Sequence, residues 1–216
     1  MDKQIIFYAA RHGTTVMNQQ HVFRGNSDPP LDKKGFRDAH ELAFYLEPIE
    51  LSYIFTSDKK RTLQTSEVIR QGRNIEVVTN AGFRPWNIGD FGGMKKDDET
   101  INELQQYINN PDKEVPGGES LNSFRRRVRP LFKELYELAL TLPCPPLLIA
   151  HSSVIHEIGD VFGDHHEDAH VKPGGLSAIF WDGHDVDVEP IFKADERSQT
   201  QNVLGTKPHN RAGLNS

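Results

Sequence analysis

The sequence lacks several features that would place it outside the ordinary globular proteins. Among its 216 residues there is one cysteine, Cys144, so no intrachain disulfide can form, which is typical of a reducing compartment. The first apolar run, residues 5–9, is too short for a signal peptide or a membrane span. An excess of positive charge is also missing, and the net charge of −6 argues against general binding of nucleic acids or anionic membranes. We therefore expect a cytoplasmic protein that binds neither.

Short strand-like runs alternate with amphipathic stretches along the chain. The predicted strands are residues 5–9, 53–55, 75–78 and 147–150. Helical periodicity predicts helices between them, among them residues 32–47 and 59–71. Residues 177–181 and 186–191 are predicted to form a hairpin. Strands that alternate with helices favour an α/β fold with a largely parallel sheet.

Basic side chains and imidazoles follow the ends of three predicted strands. Arg11 and His12 follow the first, Arg61 lies in the helix after the second, and His151 directly follows residues 147–150. Because the carboxyl ends of parallel strands share one rim, we expect these side chains to converge there. Arginine binds phosphate oxygens through planar paired donors, and a neutral imidazole can attack phosphorus. The pattern predicts a phosphate site, whereas the Arg-His-Gly tripeptide alone is also compatible with a solvated surface turn.

The order and spacing of several segments resemble the histidine phosphatase superfamily, in its phosphoglycerate-mutase-like branch. The resemblance runs over roughly residues 4–190, and it depends on Asn18 and on residues 11–15, 30–35, 56–65, 116–120 and 150–151. It implies a three-layer α/β/α sandwich around a mainly parallel sheet, and the hairpin adds an antiparallel edge strand.

The resemblance also implies a role for individual residues. His12 is the nucleophile that becomes phosphohistidine, and Arg11, Arg61 and His151 form the phosphate pocket. Residues that line the pocket and contact substrate are Asn18, Thr15 and Ser152. The implied activity is hydrolysis of a small phosphorylated substrate, with no metal and no organic cofactor.

The resemblance fails at the position of the general acid. Where the family has a glutamate after the third strand, this chain has Pro85, which cannot protonate a leaving group. Asp90 is our candidate replacement, although an aspartate in such a loop can equally serve as a capping residue. The protein is then either a phosphatase that uses Asp90 or favours good leaving groups, or a weakened relative that binds phosphorylated ligands or serves in an assembly.

A second motif, residues 166–170, matches the H-E-x-x-H pattern of zinc proteases. That chemistry needs a helix buried enough to shape a metal site, and the polar segment between Gly163 and Pro173 leaves room for two turns at most. We therefore expect a loop near the phosphate rim, where His166 or His170 could touch substrate.

We expect one catalytic domain over residues 1–193 and a polar tail over residues 194–216. The tail has few apolar residues and several Gln, Asn, Thr and Gly. Its composition is typical of disorder. The alternative is a contact with a second copy of the chain or with an assembly.

Overall fold

In a computed structural model, the chain is described over residues 4–25, 27–163, 169, 171–181 and 184–194. The strands are β1 (Gln4–Arg11), β2 (Tyr53–Thr56), β3 (Glu76–Thr79), β4 (Leu147–Ala150), β5 (Leu176–Trp181) and β6 (Val186–Phe192). The helices are α1 (Val16–Gln19), α2 (Lys33–Leu46), α3 (Lys60–Arg70), α4 (Asp98–Asn109), α5 (Leu121–Ala139) and α6 (Ser152–Phe162). The predicted helices 32–47 and 59–71 are thus each one residue shorter at both ends.

One sheet holds these strands in the order β3-β2-β4-β1-β5-β6. The first four strands in this order run parallel to one another, whereas β5 runs antiparallel to both of its neighbours, β1 and β6. These pairings confirm the predicted sheet, which is mainly parallel with antiparallel pairing towards one edge. Because β1, β2 and β4 are parallel neighbours, their carboxyl ends meet on one rim.

The alternation of side chains along the central strands fills two separate cores. On β1, Phe7 and Ala9 belong to one apolar cluster, and Tyr8 and Ala10 belong to the other. The first cluster contains the buried faces of α5 and α6, and the second contains those of α2 and α3. Helices therefore cover both faces of the sheet, which confirms the three-layer α/β/α sandwich.

Helix boundaries follow from local chemistry at the caps. Asp32 precedes α2 and accepts from the backbone N–H of Gly35 at 2.7 Å, and Ser120 precedes α5 and accepts from Ser123 at 3.1 Å. Such side-chain acceptors satisfy backbone donors that the first helical turn leaves unpaired. Lys59 precedes α3 without a side-chain cap. The N-terminal end of α3 faces the strand rim, where the site lies.

Two predictions fall mostly on residues outside the described part of the chain. These are the tail after residue 194 and residues 166–168 and 170 of the H-E-x-x-H motif. Ala194, the first residue of the predicted tail, is buried in the second apolar cluster. The domain boundary, the oligomeric contact and the loop position of the motif stay predictions.

Candidate active site

The loop after β1 is held against the first turn of α2 by close backbone approach. A Cβ on Gly13 would lie 2.3 Å from the carbonyl oxygen of Gly35, and a Cβ on Gly35 would lie 2.0 Å from that of Thr14. Both positions therefore require glycine. The buried Asp38 of α2 fixes the same loop, because its carboxylate accepts from the backbone N–H of Thr14 at 2.9 Å and from the Thr14 hydroxyl at 2.5 Å.

His12 stands in this loop with one ring nitrogen fixed and the other unpaired. Its Nδ1 lies 2.6 Å from the carbonyl oxygen of Gly13, and because a carbonyl only accepts, Nδ1 carries the proton. Its Nε2 is buried and has no hydrogen-bond partner among the residues that the structure describes. Burial, and after it the positive charges around the ring, Arg24 first, hold the pKa of His12 well below its usual range. His12 is thus a neutral imidazole with an available lone pair.

His151 lies beside His12, with 5.4 Å between the two ring centroids. It follows β4 directly and is the N-cap residue of α6. Its Nε2 lies 2.8 Å from the hydroxyl of Ser57, while its buried Nδ1 has no hydrogen-bond partner in the described part of the chain. Burial and the guanidinium of Arg61 lower the pKa of His151 as well. Each histidine therefore presents one unpaired nitrogen to a cationic pocket.

Three guanidinium groups supply the positive charge. Arg11 donates to the carbonyl oxygen of Val171 at 3.2 Å, and Arg61 donates to that of Ser27 at 3.1 Å. The third is Arg24, whose pKa burial lowers to about 10. Burial also lowers the pKa of Arg11 and of Arg61 to about 9, so all three remain cationic at pH 7.

Arg24 is the site residue that the sequence analysis missed. It donates to Oδ1 of Asn18 at 2.7 Å, and the same oxygen accepts from the backbone N–H and the hydroxyl of Thr15. The sequence signal for Arg24 is weak, because it is a single cation in the loop between the family-like segments 11–18 and 30–35. Asn18 and Thr15 thus contribute by orienting Arg24.

Unpaired buried polar atoms concentrate at this point. Among the described residues, five buried side-chain atoms have no hydrogen-bond partner, and four of them lie here. They are Arg11 Nε, His12 Nε2, Arg61 Nε and His151 Nδ1. Because buried polar groups in folded proteins are nearly always paired, this concentration indicates a site for a polar ligand.

A cleft of about 650 Å³ opens onto this pocket. Arg24, Arg61, His151 and Ser152 are among the residues that line it. The contact of Ser152 with substrate stays a prediction. Arg11 and His12 do not line the cleft themselves. His151, whose ring centroid lies 5.4 Å from that of His12, does line it.

Asp90 is not brought to this cleft. It lies in a 3-10 turn, Gly89–Phe91, where it is exposed and its N–H donates to the carbonyl oxygen of Pro116 at 2.9 Å. Its carboxylate lies against Gly117, since a Cβ there would be 2.6 Å from Oδ1. This position fits the alternative that Asp90 is a capping residue in a loop, and it does not favour Asp90 as the general acid. That role stays a prediction.

No group of His, Cys, Asp or Glu that could hold a metal ion occurs among the described residues. Over the same part of the chain, none of the helices has the length and apolarity needed to cross a bilayer.

The family follows from comparison of the whole sequence. The model of the histidine phosphatase superfamily, branch 1, matches residues 7–189. The chain belongs to this superfamily. A relative from Yersinia enterocolitica, named probable phosphoglycerate mutase GpmB, is 33% identical over 152 residues, which cover 68% of this chain and 70% of the relative.

Two solved structures confirm the fold of this superfamily member. The alpha-ribazole phosphatase from Shigella flexneri has a TM-score of 0.72 at 20% identity, and the match covers 89% of this chain and 97% of that one. A mycobacterial glucosyl-3-phosphoglycerate phosphatase in complex with VO3 has a TM-score of 0.67 at 20% identity, covering 90% and 99% of the two chains.

In this histidine phosphatase, Pro85 lines the same cleft as His151. The backbone around Pro85 is held by Arg127, which donates to the carbonyl oxygens of Gly82 and Arg84 at 2.7 and 3.0 Å. The residue that departs from the family pattern is therefore inside the site, and it brings no proton there.

Proposed function

We propose that the protein hydrolyses phosphomonoesters of small phosphorylated compounds through a phosphohistidine on His12. The observation that carries the proposal is the state of the His12 ring. Its Nδ1 donates to the Gly13 carbonyl, its Nε2 is unpaired, and its lowered pKa keeps it neutral among three guanidinium groups. A neutral imidazole in such a field is a competent nucleophile towards a bound phosphate.

The reaction has two displacements at phosphorus. In the first, the Nε2 lone pair of His12 forms the N–P bond, and the ester oxygen leaves with the electron pair of the P–O bond. In the second, water attacks phosphorus, Nε2 leaves with the electron pair of the N–P bond, and the water proton passes to solvent. In this mechanism Arg11, Arg24, Arg61 and Nδ1 of His151 donate to the phosphoryl oxygens, where the charge of the transition state is greatest.

The presence of Pro85 defines which substrates suit this site. Proton donation to the leaving group is typically worth about 10²–10⁴-fold, and Pro85 cannot provide it. We therefore expect the fastest turnover for esters whose leaving group departs as a stable anion, such as aryl phosphates. The relatives are named for phosphoglycerate, alpha-ribazole phosphate and glucosyl-3-phosphoglycerate chemistry, which supports a small phosphorylated substrate. Because the chain has a single cysteine, we also propose a cytoplasmic location.

The test compares His12→Ala with His40→Ala, since His40 is an exposed histidine on α2. We expect His12→Ala to lose about 10³-fold or more of the hydrolysis of para-nitrophenyl phosphate, because the covalent route is removed. His40→Ala should retain wild-type activity. Rapid quenching of wild type with radiolabelled substrate should trap an acid-labile phosphoenzyme that His12→Ala does not form.

Two outcomes would count against the proposal. Hydrolysis by His12→Ala within tenfold of the wild-type rate excludes the phosphohistidine. A wild type that binds vanadate but hydrolyses no aryl phosphate supports the second candidate, a weakened relative that binds phosphorylated ligands. The observation that favours this candidate is Pro85 at the position of the acid.

A further inference from the structure

The cleft is much larger than a phosphate group requires. Its volume of about 650 Å³ falls within the range of roughly 300–1,000 Å³ that is usual for sites of drug-sized ligands. Of the four arginines and lysines that line it, Arg24, Arg61 and Lys96 lie near one another, because burial and then the charge of Arg24 lower the pKa of both Arg61 and Lys96. The fourth, Arg125, is paired with the carboxylates of Glu157 and Asp160. Most of the cleft therefore lies beyond the phosphate, where the leaving group would be held.

One wall of this outer part is apolar. Leu104 and Ile108, one helical turn apart on α4, line it together with Leu121 and Phe124 of α5. Trp86 completes the wall, and its indole nitrogen donates to the carbonyl oxygen of Glu119 at 3.0 Å. That hydrogen bond fixes the ring. The wall is continuous with the phosphate end of the same cleft.

A second part of the lining is polar, but its charges are compensated. It is formed by one face of α6, where Glu157 accepts from Arg125 at 2.9 Å and Asp160 lies 3.4 Å from the same guanidinium. Arg129 pairs with Glu157 as well, at 2.7 Å. Because these acids and arginines bind each other, the outer cleft does not call for a second anionic group on the ligand.

We infer that this cleft selects phosphomonoesters whose leaving group is a bulky, largely apolar body. The inference rests on the proposed function, which places the phosphate among the cations. Ile108 is the residue that most directly indicates an apolar leaving group, since it stays 41% exposed while it lines the cleft. A leaving group that covers Ile108 removes apolar surface from water, which is favourable in proportion to the area covered.

The first measurement varies apolar size while the chemistry of the leaving group stays fixed. Phenyl phosphate and 4-butylphenyl phosphate have phenols of similar acidity, so a difference in kcat/KM reports contacts beyond the phosphate. Each buried methylene is worth about fourfold, and half burial of the butyl chain predicts a gain of about 15-fold for the larger ester. Binding of phenylphosphonate and 4-butylphenylphosphonate, measured by calorimetry, should show the same ratio without turnover.

The second measurement uses a matched pair of variants on α4. Ile108→Ser removes apolar area from the cleft, and Ile101→Ser is its control, since Ile101 is 44% exposed on the same helix but does not line the cleft. We expect Ile108→Ser to reduce the preference, which is the ratio of kcat/KM for the butyl compound to kcat/KM for phenyl phosphate, at least threefold. Ile101→Ser should change neither value.

The outcomes separate the two proposals. No turnover of either ester, together with tighter binding of the butyl phosphonate, overturns the proposed function and supports the apolar wall. Turnover of both esters without a preference for the larger one overturns the inference alone. Equal effects of the two serine variants also overturn it, as does a higher kcat/KM for a small phosphorylated hydroxy acid than for phenyl phosphate.

Discussion

At the scale of single residues, the site depends on keeping two imidazoles neutral inside a cluster of cations. Burial disfavours the charged form of His12 and His151, and the neighbouring guanidinium groups disfavour it further. The same guanidinium groups attract a phosphate dianion. In the proposed mechanism, one set of charges thus performs two tasks, binding the anion and preserving the lone pair of His12.

Arg24 should be essential to both tasks. We expect Arg24→Met to weaken vanadate binding about tenfold or more, because hydrogen bonds to charged groups contribute about 1.5–3 kcal/mol. Loss of this cation raises the pKa of His12, so the acid limb of kcat/KM should move to higher pH. Inhibition by vanadate and a pH profile with one aryl phosphate measure the two effects. Arg37→Met, at an exposed arginine of α2, is the control, and equal behaviour of the two variants contradicts the role of Arg24.

At the scale of elements, the nucleophile loop and α2 form one unit. The two glycines allow their backbones to touch, and Asp38 joins them through both donors of Thr14. Lys34, one turn earlier on α2, donates to the other oxygen of Asp38 at 2.9 Å. The position of His12 therefore depends on a carboxylate that is 26 residues away in sequence.

Replacement of this carboxylate should damage both stability and activity. In Asp38→Ala the buried N–H of Thr14 loses its acceptor, which costs about 1–3 kcal/mol of unfolding free energy, and the loop loses its anchor. We expect kcat/KM to fall at least tenfold. Asp32→Ala is the matched control, because it removes the cap of the same helix at a cost of about 1 kcal/mol but does not touch the Thr14 side chain. Urea denaturation and kinetics on both variants give the comparison, and a fall in activity no larger in Asp38→Ala than in Asp32→Ala refutes the anchoring role.

At the scale of the whole molecule, the neutral histidines make stability depend on pH. An unfolded histidine protonates near pH 6.5, whereas the folded pKa values of His12 and His151 lie well below. Above pH 6.5 neither state binds a proton at these residues, and stability is complete. As pH falls below 6.5, the unfolded state gains protons that the folded state does not, so stability declines until the folded pKa values are reached.

We expect this decline to reach about 1 kcal/mol for each of the two histidines at pH 5.5. Urea denaturation at pH 8 and pH 5.5 measures it. The variant His12→Gln/His151→Gln should lose that part of the pH dependence, whatever its stability at pH 8, while His40→Gln should behave as wild type. An unchanged pH dependence in the double variant would show that other groups are responsible.

The sequence indicated the scaffold well because its signals are local. Apolar runs at residues 5–9 and 147–150 and the periodicity of residues 32–47 predict elements that the structure contains within a residue or two. The carboxyl ends of the predicted strands lie at one edge of the sheet. The sequence alone therefore predicts that the side chains that follow them come together, namely Arg11, His12, Arg61 and His151. Their convergence follows from chain direction alone, since β1, β2 and β4 run parallel.

Tertiary structure decided the rest, because the remaining site residues act through contacts that spacing does not encode. Arg24 lies in a loop without periodicity, and only packing places it beside Asn18 and the histidine pair. Asp90 is a carboxylic acid five residues after Pro85, yet its backbone N–H donates to Pro116 and its carboxylate lies against Gly117. The tautomer of His12 and the apolar wall of the cleft likewise depend on neighbours that are distant or set by backbone geometry. The sequence by itself determined the family, the layers of the fold and the convergence of Arg11, His12, Arg61 and His151 at one rim, because these follow from local pattern and strand direction. The folded chain decided that Arg24 joins them and that apolar side chains line the adjoining cleft, because both depend on packing between distant segments.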